Sequence, residues 1–210
     1  MKPIKSLLVL AVLCAPLVAS AQGYYGRGGR YQQSSGTPVP GGFHNREGRL
    51  TWGVGLGLGG IGDGGSAITS CDNCDAKPLT LEGDFHIGGM VSPRLALLFE
   101  VQANAQTVHS DFYNDDTFLE QGAALFAAQL WLLPQLWIKG GIGFANLQLD
   151  NRYFLDDYGS GGALLVAAGV ELLSARNFAI DLQGRLLETS YNSLNDNITS
   201  ATIGIGIDWY

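Results

Sequence analysis

Residues 79–91, LTLEGDFHIGGMV, give the strongest indication of the fold. Its apolar and polar residues alternate, as expected for a β-strand, in which successive side chains point to opposite faces. The apolar face consists of Leu79, Leu81, Phe85, Ile87 and Val91. The other face consists of Thr80, Glu82, Asp84, His86 and Met90. One side of this predicted strand is therefore apolar, and the other is polar and charged.

The same alternation recurs along the rest of the chain, and no segment keeps the spacing of an amphipathic helix. It is clear over residues 95–107 and 178–187. With turn residues taken as boundaries, the pattern predicts eight strands. These strands are 49–61, 78–91, 95–108, 118–133, 136–150, 161–173, 178–191 and 198–210. The predicted fold class is all-β, an eight-stranded antiparallel up-and-down transmembrane β-barrel.

The predicted connections differ in length between the two ends of this barrel. The short ones are 92–94, 134–135 and 174–177, the long ones are 62–77, 109–117 and 151–160, and 192–197 is intermediate. Short turns at one end and longer loops at the other are typical of outer-membrane barrels. A strand that crosses such a membrane needs about 9–11 residues, and every predicted strand is long enough.

The first 48 residues have a different composition from the rest of the chain. Lys2 and Lys5 precede an apolar run over 6–18, and a small-residue cleavage site follows at 19–21, which predicts a signal peptide over 1–21. Residues 22–48 are rich in Gly, Ser, Pro and Gln and predict a disordered periplasmic tether. The barrel domain is then 49–210, in the envelope of a Gram-negative cell.

Charge and glycine content narrow the possible functions. A formal net charge of −7 argues against a nucleic-acid partner. The chain has 30 glycines, about twice the usual share of roughly 7%. Several lie opposite the apolar face of the first and last strands: Gly53, Gly55, Gly57, Gly59, Gly204 and Gly206. A narrow lumen favours small residues beside large polar ones, so we expect the polar face to point inward and the apolar face to contact lipid.

Aromatic residues give a second indication of a membrane, because Trp and Tyr collect at its two interfaces. With both termini in the periplasm, the predicted periplasmic rim contains Trp52, Trp131, Trp137 and Trp209. The predicted extracellular rim contains Tyr113, Tyr153, Tyr158 and Tyr191. We therefore expect the barrel to lie in the cell outer membrane.

With these features the chain resembles the small outer-membrane barrels of the OmpA/OmpX type, the outer-membrane β-barrel domain. The resemblance covers residues 49–210 and rests on the strand pattern and on the last eight residues, IGIGIDWY. It implies two partners, the outer-membrane lipid and the insertion machinery, which reads an aromatic residue at the end of the last strand. Trp209 and Tyr210 are the candidates for this signal. The position two before the end, usually apolar in the family, is Asp208 here.

The polar face predicts an ionic network in the lumen. Its members are Glu82, Asp84, His86, Glu100, Lys139, Glu171, Asp181, Arg185 and Asp208. Buried charges cost free energy unless they are paired, so Arg185 and Lys139 are expected to contact carboxylates. We interpret the network as a structural plug, with a narrow ion or proton channel as the alternative.

Cys71 and Cys74 lie in the first long loop. Outside the cytosol they predict a disulfide rather than a redox centre or a zinc site, since no second pair of ligands accompanies them. A catalytic triad is not specified, because His109 and Ser110 are neighbours that point to opposite faces of a strand. The long loops are acidic but lack the spacing of a calcium loop. We therefore expect no enzymatic activity, no cofactor and no metal.

The preferred function is a structural, adhesive or surface-interaction role carried by the extracellular loops, with a partner that the sequence does not identify. Two alternatives remain. One is the narrow channel through the charged lumen. The other is a soluble secreted barrel of the lipocalin type that binds an apolar ligand, because strand number and alternation fit both a membrane and a soluble barrel.

Overall fold

A computed structural model describes residues 46–63, 66–67, 79–110, 115–150, 155–175, 177–191 and 197–210. The strands are β1 (Leu50–Asp63), β2 (Ser66–Ala67), β3 (Thr80–Ser92), β4 (Leu95–Ser110), β5 (Asp115–Trp131), β6 (Leu136–Asp150), β7 (Leu155–Ser174), β8 (Phe178–Tyr191) and β9 (Asn197–Trp209). In this part of the chain, no helix is long and apolar enough to cross a membrane.

The eight long strands close into an antiparallel barrel. Each pairs with its neighbours in sequence, and β9 pairs with β1 from Trp52 opposite Trp209 to Asp63 opposite Ile198. The short β2 only extends the sheet beside the end of β1. Closure satisfies the backbone donors and acceptors that an open sheet would leave at its edges. The predicted eight-stranded antiparallel β-barrel is confirmed.

The barrel has a terminal end, where β1 begins and β9 finishes, and a distal end opposite to it. At the distal end β4 continues to Ser110, β5 begins at Asp115 and β7 begins at Leu155. The predicted long connections 109–117 and 151–160 are therefore too long, and only 111–114 and 151–154 separate the strands. Backbone pairing continues past the last apolar residues because it does not require apolar side chains.

Burial alternates along the strands and separates the side chains by polarity. Along β8 every second residue from Ala179 to Tyr191 is buried, and Arg185 is among them. Many outward residues are large and apolar; Phe144 is 77% exposed and Phe126 is 73% exposed. The wall thus turns its apolar side outward and its charged side inward, the reverse of a protein folded in water.

The interior also contains two apolar clusters. One, toward the distal end, consists of Ile61, Leu119, Ala123, Leu125, Ala145, Leu147, Ala163, Leu165, Leu187, Tyr191 and Ile198. The other, toward the terminal end, consists of Met90, Ala96, Leu98, Ala127, Trp131, Trp137, Ala167, Ala179 and Tyr210. Many of these residues come from β5, β6 and β7, so the charged side chains project mainly from the opposite part of the wall.

Candidate functional site

Arg185 of β8 is the centre of the charged lumen. Its Nε lies 3.0 Å from Glu82 Oε1 and its Nη1 lies 3.4 Å from Asp84 Oδ2. Its Nη2 contacts Glu100 Oε1 and donates a 3.0 Å hydrogen bond to Gln102 Oε1. One buried guanidinium is therefore bound by three carboxylates from β3 and β4, across the lumen.

Lys139 reaches the same cluster from β6. Its Nζ donates a 2.9 Å hydrogen bond to Glu100 Oε2 and lies 5.3 Å from the centroid of the Trp137 ring. Glu100 is thus shared between Lys139 and Arg185. Because each of these side chains is buried, the cost of removing its charge from water is offset only by such pairing.

His86 extends the network toward the terminal end. Its Nε2 lies 2.6 Å from Asp208 Oδ1, and its Nδ1 lies 3.5 Å from Asp84 Oδ1. The His86 ring therefore lies between the carboxylates of Asp84 and Asp208.

Glycines of β1 leave the space that this network occupies. A Cβ atom at Gly53 would overlap the carboxylate of Asp208 and the ring of His86, and one at Gly55 would overlap the carboxylate of Asp84. Gly53 is paired with both His86 and Asp208, and Gly55 is paired with Asp84, so each glycine lies directly beside the side chains it makes room for. The glycines of β1 are therefore part of the site.

Arg46, which precedes β1, closes the terminal end. Its Nη1 and Nη2 donate hydrogen bonds of 2.9 and 3.1 Å to the two oxygens of Glu171, and Nη2 also donates to Ser174 Oγ at 3.1 Å. The guanidinium lies 3.7 Å from the centroid of the Tyr210 ring. Trp131 Nε1 donates a 2.7 Å hydrogen bond to the same Glu171 carboxylate.

Burial lowers the pKa of Arg46, but the hydrogen-bonded Glu171 carboxylate raises it by more. The pKa of Arg46 therefore lies above its ordinary value. Arg46 is not among the predicted lumen residues because it falls in the polar segment 22–48. The backbone also holds this point of the chain, since Gly48 N donates to Met90 O at 2.9 Å. Residues 46–48 are thus bound to the barrel. The rest of the predicted tether and the predicted signal peptide lie outside the described residues.

Farther toward the distal end the lumen is polar but neutral. Asn104 Nδ2 donates hydrogen bonds to Gln121 Oε1 at 3.0 Å and to Ser200 Oγ at 3.1 Å. Gln121 Nε2 donates to Thr189 Oγ1 at 2.9 Å. Side chains from β4, β5, β8 and β9 therefore meet across the lumen without a formal charge.

The structure corrects the predicted aromatic rims. Trp131, Trp137 and Tyr191 are buried inside the lumen and do not face a membrane interface. The reason is strand parity: Trp137 lies two residues from Lys139, so both point inward. Only Trp52 and Trp209 of the four tryptophans project from the wall, stacked with ring centroids 4.2 Å apart and planes 9° apart.

The same parity separates the two candidates for the terminal signal. Tyr210 is buried against Arg46, in phase with Asp208, whereas Trp209 lies on the outward side of β9. Asp208 therefore occupies an inward position, which explains why an acidic residue stands where the family usually has an apolar one. Cys71, Cys74, Tyr113 and Tyr153 lie outside the described residues, and so does the side chain of Tyr158.

The arrangement fills the lumen with side chains rather than lining a ligand cavity. Glu82, Glu100 and Arg185 meet at one level from opposite walls. Among the described residues, no three His, Cys, Asp or Glu side chains are placed to hold a metal ion. The chemistry available here is ion pairing and hydrogen bonding.

Comparison with known proteins supports the fold. No protein-family model matches the sequence, and no curated protein matches it. The chain has the fold of the small eight-stranded outer-membrane β-barrels. It is similar to Ail, the attachment invasion locus protein of Yersinia pestis, solved with the heparin analogue sucrose octasulfate, with 11% identity, a TM-score of 0.50, and 78% of this chain and 99% of Ail covered. It is also similar to Neisserial surface protein A, with 11% identity, a TM-score of 0.50, and 76% of this chain and 95% of that protein covered.

Proposed function

We propose that this chain is an integral outer-membrane barrel whose lumen is closed by its ionic network, and that it holds its distal connections at the cell surface. The observation that carries the proposal is the reversed polarity of the wall. Leu56, Ile142, Phe144 and Ile203 are each at least 68% exposed, whereas Arg185 and its carboxylate partners are buried. The terminal end then faces the periplasm.

The extent of the apolar exterior favours lipid over water. Water-soluble monomers rarely expose apolar patches larger than a few hundred Å². Here exposed large hydrophobic residues occur on every long strand of the described barrel. A closed barrel also satisfies its backbone hydrogen bonds internally, as a hydrocarbon environment requires.

Cell fractionation with heat-modified gel mobility tests the location. We expect the mature protein in the outer-membrane fraction, with a mobility that differs between boiled and unboiled samples. Recovery from the periplasm or the medium without detergent would contradict the proposal and favour the soluble, ligand-binding barrel.

A pair of arginine substitutions tests which face meets lipid. Leu56 lies in the middle of β1 and is 68% exposed, whereas Leu133 lies in the turn after β5 and is 59% exposed. In a membrane, Leu56→Arg should lower the free energy of unfolding by about 2–4 kcal/mol, and Leu133→Arg by only about 0–1 kcal/mol. Urea titration in lipid vesicles gives both values. Equal, small effects would indicate that the exterior faces water.

Closure of the lumen is tested separately from membrane insertion. The wild-type barrel should give no conductance steps in a planar bilayer, because Arg185 and Glu100 meet across its lumen. Steps in the wild type that disappear in Arg185→Ala would instead support the narrow channel. This measurement decides between a plug and a path through the same side chains.

The surface role is proposed from the distal connections. Their sequence is acidic and includes Asp72, Asp75 and Asp111. Ail was solved with a polyanionic heparin analogue, but acidic connections favour a cationic partner here. We expect the barrel in nanodiscs to bind a polylysine surface and not a heparin surface. Binding to heparin would contradict this preference.

A further inference from the structure

The outer wall of β5 to β9 contains an open groove of about 500 Å³. Its apolar lining comes from Phe126, Ile142, Phe144 and Leu164. Its polar lining is confined to Glu188, Ser190 and Asn197. No other charged side chain lines it. The groove therefore combines a long apolar surface with a small group of hydrogen-bonding side chains.

Gly162 of β7 makes the groove possible. It is exposed on the outer wall and is paired with Phe144 on one side and with Ser190 on the other. Apart from Gly162 itself and its two chain neighbours, no heavy atom lies within 4 Å of the position that a Cβ would occupy there. The floor of the groove is thus bare backbone beside the projecting ring of Phe144.

The two parts of the groove lie at different depths in the wall. Phe126 lies in the half of β5 nearer the terminal end, far from the distal start of that strand at Asp115. Glu188 is close to the distal end of β8, which finishes at Tyr191. Glu188 Oε1 accepts a 2.8 Å hydrogen bond from Asn197 Nδ2. The groove runs from an apolar region toward a polar group at the distal rim, which is the polarity of a membrane lipid.

We propose that this groove binds a glycolipid, with an acyl chain along Phe126, Ile142 and Phe144 and a sugar at Glu188, Ser190 and Asn197. This inference rests on the proposed function, since it requires the wall to face lipid. The carboxylate accepts hydrogen bonds, and the hydroxyl and amide groups both donate and accept, which matches sugar hydroxyls. A phosphate headgroup fits less well, because the only charge lining the groove is negative.

Native mass spectrometry of the purified barrel with two probes tests the proposal. The probes are glucosyl diacylglycerol and phosphatidylglycerol with the same acyl chains. We expect the wild type to retain the glucosyl lipid about fivefold better, the effect of one net hydrogen bond. Equal retention of the two lipids would overturn the inference.

Two variants and a matched control separate the parts of the site. Gly162→Leu fills the floor and should reduce retention of both lipids. Gly184→Leu is the control, because Gly184 is also an outward glycine with open space but does not line the groove. Glu188→Leu should remove the preference for the sugar while the acyl chain still binds. If Gly162→Leu retains as much glucosyl lipid as the Gly184→Leu control, the groove is not the site.

The failure of this inference can be distinguished from the failure of the proposed function. Heat-modified mobility is measured on the same samples. A wild type without a heat shift and without membrane association would overturn both. A heat-shifted wild type without lipid preference would overturn only the glycolipid site. A dimer signal that Gly162→Leu abolishes would assign the groove to a second copy of the chain and would also overturn the glycolipid.

Discussion

The charged and the neutral regions of the lumen compensate the burial of polar side chains in different ways. Around Arg185, burial is compensated by opposite charges, and Glu100 bridges Lys139 and Arg185. Around Gln121, nearer the distal end, it is compensated by hydrogen bonds between neutral groups. A buried charge that loses its partner costs far more than a buried amide that loses one hydrogen bond. The two regions should therefore differ sharply in their tolerance of substitution.

The largest expected effect follows from Arg185→Met. The variant leaves Glu82, Asp84 and Glu100 without the guanidinium that joins them. Breaking a buried ion pair costs about 3–5 kcal/mol, so we expect a loss of that size in the free energy of unfolding. Urea titration in lipid vesicles, followed by tryptophan fluorescence, measures it.

A second substitution controls for lost packing. Arg185→Met combined with Glu100→Gln removes one of the unpaired carboxylates and should recover part of the stability. If the double variant is no more stable than Arg185→Met, the loss comes from shape rather than charge, and the contrast between the two regions disappears.

An intermediate effect is expected for Arg46→Ala at the terminal end. Glu171 loses two hydrogen bonds but keeps the one from Trp131 Nε1. We therefore expect a loss of about 1–3 kcal/mol, measured by the same titration.

Arg46→Lys separates the effect of the charge from that of the planar guanidinium group. Lysine keeps the charge but lacks the planar group that binds both oxygens of Glu171, so its stability should lie between those of the wild type and the alanine variant. An alanine variant as stable as the wild type would show that the residues before β1 do not help to hold the barrel closed.

The smallest effect is expected for Gln121→Leu in the neutral region. Asn104 still donates to Ser200, and Thr189 still donates to the carbonyl of Ile198 at 3.0 Å. The expected loss is about 0.5–1.5 kcal/mol, read from the urea midpoint. A loss as large as that of Arg185→Met would remove the distinction between charged and neutral burial.

The fold was predictable because the alternation of apolar and polar residues determines which way each side chain of a strand points. A shift of one residue would turn a whole strand inside out, so the apolar face of residues 79–91 also determines which way Glu82 and His86 point. The same rule, applied strictly, would have placed Trp137 with Lys139 and Tyr191 with Arg185. The rim prediction was wrong for Trp131, Trp137 and Tyr191 because strand parity, and not the general preference of aromatic residues for membrane interfaces, determines which way these side chains point.

Other features could not be read from alternation. The register shifts between Glu171 and Leu173, so Leu172 and Leu173 are both exposed although they are neighbours. Such a bulge inserts a residue without a local sequence signal. The contacts of Arg46 could not be predicted for a different reason. Its partners on β7 and at the end of the chain are distant in sequence, and the residues next to it in sequence are polar.

The stacked indoles of Trp52 and Trp209 have an optical consequence. Two nearly parallel rings 4.2 Å apart couple their electronic transitions, and the pair should give an exciton couplet in circular dichroism. These rings belong to the first and last strands of the barrel, whose meeting requires the longest loop closure in the fold. The couplet should therefore be absent until β1 and β9 pair, and its appearance reports closure of the barrel without an added label.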